Sequence, residues 1–185
     1  MRFLSIDTPI RDLKIIERKP FKDHRGSFTR LYCANEFQLM GISKPISQIN
    51  QTITHKLGAV RGMHYQKPPY AEIKLVSCLK GEIFDIAVDL RNNSPTFLHW
   101  YGVILSEDNQ KSLLIPEGFA HGFQALTNNC ELIYFHTAMY HKESEGALNI
   151  IDPKINITWP VRVSEISEKD RSHPMITEEF KGITL

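Results

Sequence analysis

The chain lacks a charge imbalance, a long apolar run and any paired-cysteine motif. Its 185 residues carry 22 lysines and arginines against 21 aspartates and glutamates. Neither nucleic acid nor an anionic membrane surface is therefore expected as a partner, although a local basic cluster could hold a phosphate. No stretch approaches the roughly 20 apolar residues that span a bilayer. The N-terminus mixes charged with apolar residues, so no signal peptide is expected.

Cysteine is also scarce. Cys33, Cys78 and Cys130 are odd in number and far apart, with no C-x-x-C. This usage favours reduced thiols in a cytoplasmic protein over a disulfide framework or a zinc ribbon. Internal repeats and linkers are absent too, and the length suits one domain over residues 1–185 with a single substantial core.

What the sequence does contain is a series of short β-prone segments separated by turn residues, which predicts an all-β sandwich or barrel. In 82–90 (EIFDIAVDL) the acidic Asp85 and Asp89 lie on one face and an apolar wall on the other, formed by Phe84, Ile86, Val88 and Leu90. After a turn-rich connection at 90–97, further strands are predicted over 99–105, 111–116, 121–126, 131–140 and 147–152.

Helical signals are few. Residues 35–41 (NEFQLMG) predict a short helix with Asn35 as N-cap and Gly41 as terminator. Residues 164–174 (SEISEKDRSHP) predict a second one, which starts from a serine cap and is stopped by Pro174.

The segment 61–76 (RGMHYQKPPYAEIKLV) raises the main chemical question, because His64 could be a metal ligand, a base or a hydrogen-bonded residue at a strand end. Downstream, 115–123 (IPEGFAHGF) ends a Pro-x-Gly-x-x-His spacing at His121, and the interval is typical of the two motifs of cupin barrels. Metal-binding cupins have a second histidine where Gln66 stands, and an amide is a poor ligand for a first-row metal. A site of His64, Glu72 and His121 is therefore disfavoured, but it stays open as an alternative.

Several unlike polar side chains are predicted to crowd the same barrel as His64; they are Lys74, His121, Tyr134 and Tyr140, with Arg61 close by. A buried lysine needs a partner or a chemical role, because desolvating its charge is costly. Chance explains such a set poorly, so the barrel interior is the candidate site.

Motifs from about residue 5 to 175 resemble the dTDP-4-dehydrorhamnose 3,5-epimerase family. They are DHRGSF (23–28), QINQT (48–52), RGMHYQ (61–66), KLV (74–76), FDIAVDLR (84–91), SPTF (94–97), IPEGFAHGF (115–123), WP (159–160) and SEKD (167–170). The resemblance implies a cupin jelly roll with a few short helices, a homodimer that exchanges N-terminal strands, and no metal or organic cofactor. It also implies an isomerase that acts on a nucleotide-linked 4-keto-6-deoxyhexose in deoxysugar and surface-polysaccharide biosynthesis.

Epimerisation beside a ketone requires a base, an enolate stabiliser and an acid on the opposite face. By resemblance, His64 is the base and Asp170 hydrogen-bonds its far ring nitrogen. Lys74 meets the developing enolate oxygen, and Tyr134 reprotonates the carbon. From the residues alone, Tyr134 could equally be a core tyrosine and Asp170 a helix-capping residue.

The resemblance also assigns substrate contacts. Arg25 and Arg61 match positions that contact the phosphates, with His121 near the sugar. Phe28 and Tyr140 match the aromatic pair around the nucleobase. Further contacts are expected from Gln48, Asn50, Glu145 and Lys169, although Glu143 competes with Glu145 for its assignment.

Two positions depart from the family pattern. Ile49 replaces an aspartate, and Arg30 replaces a glutamate thought to accept a hydrogen bond from thymine. Arginine offers donors only, so Arg30 predicts a preference for cytosine, whose ring nitrogen and carbonyl both accept. In the alternative, Arg30 turns to solvent, and Gln48 and stacking hold thymine.

Four function classes remain in competition. The first is an epimerase at carbons 3 and 5, or at one of them on a CDP-linked or other nucleotide-linked sugar. The others are a 4-keto sugar ketoisomerase, a metal-dependent cupin enzyme and a non-catalytic nucleotide binder. The set of His64, Lys74, Tyr134 and Asp170 argues against a binder, which has no need of both a base and an acid.

Overall fold

The structure, a computed structural model, describes residues 1–185. Its strands are β1 (Phe3–Asp7), β2 (Lys14–Arg18), β3 (Phe21–Asp23), β4 (Gly26–Phe28), β5 (Gln48–Thr54), β6 (Ala59–Gln66), β7 (Lys74–Lys80), β8 (Glu82–Asp89), β9 (Trp100–Ser106), β10 (Lys111–Ile115), β11 (Phe119–Ala125), β12 (Cys130–His136), β13 (Glu145–Ala147) and β14 (Glu165–Ile166). The helices are α1 (Ala34–Leu39) and α2 (Glu168–Arg171), with one 3-10 turn at Lys142–Ser144. Neither helix is long and apolar enough to cross a membrane.

Two six-stranded sheets form the body of the molecule. The first sheet has the order β1-β2-β10-β7-β12-β5, and the second has the order β13-β6-β11-β8-β9 with β14 beside β6. All pairings within them are antiparallel except that of β14 with β6. Strands β3 and β4 form a separate hairpin. The order alternates between the sheets along the chain, as a jelly roll requires.

Three apolar clusters hold the layers together. The largest lies between the sheets and takes residues from both, among them Val76, Leu113, Phe123 and Leu132. A second covers the outer face of the second sheet with residues of the C-terminal segment. The third packs α1 on the outer face of the first sheet through Phe37, which is 1% exposed. Both sheets are therefore buried on both faces over much of their area.

The strand predicted at 82–90 is buried on both of its faces. Strand β8 confirms it, and the apolar wall of Ile86, Val88 and Leu90 packs in the cluster under the C-terminal segment. The acidic face does not meet solvent, however, because Asp85 and Asp89 are both 0% exposed. Asp85 faces the barrel interior with Ile83 and Ala87, which belong to the inter-sheet cluster.

Some predicted elements have different bounds. The segment 147–152 is a strand only to Ala147; Leu148 still pairs with Met63, and the chain then turns at Asn149. The N-cap position of helix α1 is Cys33, whose side chain makes no capping hydrogen bond, and Asn35 lies inside the first turn. In 164–174, residues 165–166 join the second sheet as β14, so α2 starts only after Ser167, whose hydroxyl caps the backbone N–H of Asp170.

Two glycines bring β6 and β11 unusually close together. A side-chain carbon on Gly62 would lie 2.6 Å from the Cα of Gly122, and one on Gly122 would lie 2.4 Å from the sulfur of Met63. The ladder shifts register between His121 and Phe123. This close approach places His64 directly opposite His121 at the mouth of the barrel.

Candidate active site

One wall of the site carries a histidine–carboxylate pair. The Nε2 atom of His64, on β6, lies 2.7 Å from Oδ1 of Asp170, on α2, and Asp170 is 4% exposed. Burial alone would raise the pKa of Asp170, but the hydrogen bond and charge of His64, with the Ser167 cap, lower it overall. Asp170 is thus a carboxylate that fixes a proton on Nε2 of His64, and Nδ1 is left without a protein partner.

Lys74 and Tyr134 lie on the opposite wall, on β7 and β12 of the first sheet. The Lys74 ammonium is 3.3 Å from Oε1 of Glu72 and 3.5 Å from the backbone oxygen of His64. Burial, followed by the charge of Asp85, raises the pKa of Tyr134. Tyr134 is therefore a neutral phenol with a proton to give, facing the His64 wall across the barrel.

His121 is held by a second buried carboxylate. Its Nε2 atom lies 2.8 Å from Oδ1 of Asp85, and the His121 side chain is 6% exposed. Burial raises the pKa of Asp85, against the opposing effects of His121 and Lys74. The His121 ring also meets Tyr134 edge-on at 6.0 Å between centroids. His121 thus lines the site between the two walls.

A third histidine–carboxylate pair was missed by the sequence analysis. The Nδ1 atom of His136 lies 2.8 Å from Oε2 of Glu72, and both side chains are nearly buried, at 12% and 9%. The only sequence signal is alternation: His136 follows Tyr134 by two residues on one strand, and Glu72 precedes Lys74 by two. Side chains two residues apart on a strand share a face, so a Tyr134 that points into the barrel predicts that His136 does so too.

These groups enclose a cavity of about 370 Å³, here called the catalytic cavity. Its lining includes Asn50, Arg61, His64, Lys74, His121, Tyr134, His136, Lys169 and Asp170. An adjoining cavity of about 290 Å³ is lined by Gln48, Tyr140, Glu145 and Glu72 among others. Asn50, His64, Lys74 and His136 line both, so the two cavities meet at these residues.

The adjoining cavity contains four of the ten predicted substrate contacts, namely Gln48, Asn50, Tyr140 and Glu145. Gln48 accepts a hydrogen bond from the backbone N–H of Tyr140 at 3.0 Å, which holds the 56% exposed ring at the rim. Glu145 accepts from the Tyr140 hydroxyl at 3.1 Å and from Lys169 at 2.8 Å. Glu143 instead faces solvent beside His141, so Glu145 is the glutamate at the site.

Three predicted substrate contacts lie outside both cavities. Arg25 and Phe28 belong to the β3–β4 hairpin; Phe28 is 71% exposed, and Arg25 pairs with Asp23 at 2.7 Å. Arg30 pairs with Glu36 at 3.0 Å. A single chain therefore does not bring these side chains to the catalytic cavity.

The metal-ligand set considered from the sequence is divided among different partners. His64 binds Asp170, His121 binds Asp85, and Glu72 binds His136. Gln66 donates to two backbone carbonyls and accepts from His141 N–H at 2.7 Å, a structural role. The group whose ligand atoms lie close enough to hold a metal together is His64, Asp170 and His173, within 4.8 Å of one another.

The comparison with known families decides the assignment. The model of the dTDP-4-dehydrorhamnose 3,5-epimerase family matches residues 7–178. The chain belongs to this family. The epimerase of this name from Shigella flexneri is 45% identical over 166 residues, which cover 89% of this chain and 91% of that protein.

Solved structures agree with the family assignment. A 3,5-epimerase from Legionella pneumophila, in complex with dTDP-4-keto-L-rhamnose, has a TM-score of 0.91 and 40% identity, over 99% of both chains. A 3'-monoepimerase from Streptomyces bikiniensis, in complex with dTDP-quinovose, has a TM-score of 0.85 and 29% identity, over 91% of this chain and 85% of that one. The expected cupin jelly roll and the isomerase class are thus confirmed.

Proposed function

We propose that this epimerase inverts carbons 3 and 5 of a dTDP-linked 4-keto-6-deoxyhexose, as a step in dTDP-rhamnose biosynthesis. One observation carries the proposal: the His64–Asp170 pair faces Lys74 and Tyr134 across a single cavity. A base and a neutral acid on opposite walls are what inversion at a carbon next to a ketone needs. The two carbons flank the same carbonyl, so one set of groups serves both.

The reaction starts when Nδ1 of His64 takes the proton from the carbon beside the carbonyl. The C–H electrons move into the new carbon–carbon double bond, and the carbonyl oxygen becomes an enolate oxygen. Asp170 accepts the Nε2–H of His64 at 2.7 Å and so stabilises the imidazolium that forms.

Lys74 and Tyr134 complete the inversion. The ammonium of Lys74 stabilises the enolate oxygen, which carries charge only after deprotonation. Tyr134 then donates its phenolic proton to the opposite face of the carbon, and the enolate electrons return to restore the carbonyl. Solvent takes the proton from His64 and returns one to the tyrosinate, so each cycle ends as it began.

The base of the nucleotide is assigned to the adjoining cavity, and the diphosphate and sugar are assigned to the catalytic cavity. Tyr140 offers a ring for the base, and Gln48 and Asn50 offer amides nearby. Arg61 and Lys169 supply cations for the diphosphate, and His121 lies beside the sugar in the catalytic cavity. The Legionella pneumophila relative binds a dTDP-linked keto sugar, which supports a ligand of this class for the present chain.

We further propose a homodimer in which the partner's hairpin completes the site. Arg25 and Phe28, a cation and an aromatic ring suited to phosphate and base, lie in the exposed β3–β4 hairpin of this chain. In the proposed symmetric dimer, each hairpin would supply this cation and ring to the other subunit's adjoining cavity. The three free cysteines, two of them buried, also support a reducing cytoplasmic location.

Arg30 does not need a nucleobase as its partner, since its guanidinium already pairs with Glu36. This pairing favours thymine held by Gln48 and stacking over the cytosine alternative.

The test of the proposed function supplies dTDP- and CDP-linked 4-keto-6-deoxyglucose in parallel and identifies the products by NMR. Inversion at both carbons of the dTDP sugar is expected. Inversion at one carbon only, as the monoepimerase relative's name implies for that protein, a displaced carbonyl, or turnover of the CDP sugar alone would each contradict the proposal.

A further inference from the structure

Glu72 connects two groups of the site that no motif links. One carboxylate oxygen, Oε1, lies 3.3 Å from the Lys74 ammonium, and the other, Oε2, lies 2.8 Å from Nδ1 of His136. A charge-assisted N–H···O bond is ordinarily about 2.7–2.9 Å long. The contact with His136 is therefore a full hydrogen bond, whereas Lys74 is held at a longer distance.

The backbone fixes this arrangement. His136 is the cross-strand neighbour of Lys74 between β12 and β7. Next to this pair, the N–H of Ile73 donates to the hydroxyl of Thr137 at 2.8 Å, and the N–H of Thr137 donates to the carbonyl of Ile73 at 3.1 Å. The two chain segments are thus tied together beside Glu72, which limits how far Lys74 and His136 can move relative to each other.

A carboxylate beside Lys74 has two opposing effects on the enolate. It anchors the ammonium in the cavity, but it also neutralises the charge that the enolate oxygen needs. Both side chains are about one-tenth exposed, so solvent screens this interaction little. The pKa of Glu72, which burial would raise, is lowered overall by the hydrogen bond from His136 and the charge of Lys74, so Glu72 is an anion here.

His136 decides which effect prevails, because it occupies the second carboxylate oxygen. Its ring stands almost parallel to that of Tyr134, with centroids 6.0 Å apart, and its Nε2 lies 3.4 Å from the Asn50 amide nitrogen. The ring is therefore held on both sides. Without His136, Glu72 would be free to close on Lys74 with both oxygens.

Building on the proposed function, we propose that His136 and Glu72 are positioning residues for Lys74: Glu72 anchors the ammonium, and His136 holds Glu72 back from neutralising it. The pair acts on the enolate through Lys74 and is not proposed to contribute to substrate affinity. Its effect therefore belongs in kcat and in proton exchange, and dTDP binding is expected to stay near that of the unaltered chain.

The test compares two single variants at His136 with one double variant. His136→Ala is expected to lower kcat roughly 10- to 100-fold, the equivalent of one hydrogen bond to a charged group. His136→Gln, which keeps an N–H donor for Glu72, should lose less. Glu72→Gln added to His136→Ala should regain most of the loss, because an amide cannot neutralise Lys74. Loss of packing alone would not be regained in this way.

His99→Ala, at an exposed histidine outside both cavities, controls for the substitution itself, and calorimetry with dTDP shows that each variant binds. The proposal is overturned if His136→Ala leaves kcat unchanged, or if the double variant is no faster than His136→Ala. A wild-type enzyme that converts no 4-keto sugar would instead overturn the proposed function. The two failures are thus distinct.

Discussion

At the scale of single residues, the proposed role of His64 as a base rests on its contact with a carboxylate 106 positions away in sequence. Asp170 is buried, ionised and capped at its own N–H by Ser167 at 3.0 Å. It keeps a proton on Nε2 of His64, and only then is Nδ1 free to act as a base. His121 makes the same Nε2 contact with the carboxylate of Asp85, whereas His136 meets Glu72 through Nδ1.

Asp170→Asn tests this dependence. Either the amide NH2 faces Nε2 and forces the ring proton onto Nδ1, or the amide oxygen faces it and no longer stabilises the imidazolium. We expect kcat to fall by about 10²- to 10⁴-fold, the usual contribution of general acid–base catalysis, with dTDP affinity within a few-fold of wild type. Steady-state assays beside Asp108→Asn, at an exposed carboxylate, provide the comparison. A kcat equal to that of this control would show that His64 needs no partner.

Some residues of the proposed site could be predicted from the sequence, and others could not. His64, Lys74 and Asp170 stand in recognisable motifs, and the family resemblance assigned Tyr134, so all four could be named from the sequence. Glu72 was named from the sequence only as a candidate metal ligand, and His136 was not named. The two lie 64 residues apart, and only the pairing of β7 with β12 brings them together. A pair made by strand register leaves no local signature in sequence.

At the scale of elements, the site depends on how closely β6 and β11 approach. Gly122 has no room for a side chain: an added carbon would lie 2.7 Å from the carbonyl oxygen of Arg61 and 2.4 Å from the sulfur of Met63. The backbone contact cannot be relieved by rotating a side chain. The close approach positions both His64 and His121, so stability and catalysis share this element pair.

Gly122→Ala is expected to lower the free energy of unfolding by about 1–3 kcal/mol, the usual cost of overpacking. Urea denaturation followed by circular dichroism measures it. Activity should fall as well, since β6 must move away from β11 and carry His64 with it. A variant as stable and as active as wild type would mean that the strands can separate there without consequence.

The alternation of apolar and polar residues predicted most of the strands, because it reflects which side chains are buried. It could not predict where each strand ends. Strand β8 matched its predicted bounds within one residue. The stretch 148–152 has the same apolar character, yet it leaves the sheet, because Asn149 turns the chain and uses its side chain on the carbonyls of Arg171 and His173. Apolar residues that are buried under a covering segment and apolar residues that are buried in a strand give the same sequence pattern.

At the scale of the whole molecule, the proposed site needs residues from a second chain. The catalytic cavity is formed within a single chain, but Arg25 and Phe28 stand in an exposed hairpin away from it. A homodimer with exchanged hairpins would give each cavity a cation and a ring from its partner. The sequence alone could name these residues by resemblance, but not the subunit whose cavity they serve.

Mixing two inactive variants tests this arrangement. In a heterodimer of His64→Ala and Arg25→Ala chains, one site receives both defects and the other receives neither. After unfolding and joint refolding, about a quarter of wild-type activity is expected, since half the dimers are mixed and each has one intact site. If the hairpin serves its own chain, every site carries one defect and the mixture stays as inactive as its components.

The most direct test of the central claim is proton exchange at the two carbons beside the ketone. In deuterium oxide, with the dTDP-linked 4-keto-6-deoxy sugar, wild-type enzyme should introduce deuterium at carbons 3 and 5, as read by NMR and mass spectrometry. The His64→Ala variant should introduce none while still binding dTDP. Absence of deuterium at both carbons with active wild-type protein, or undiminished exchange in His64→Ala, would contradict the account.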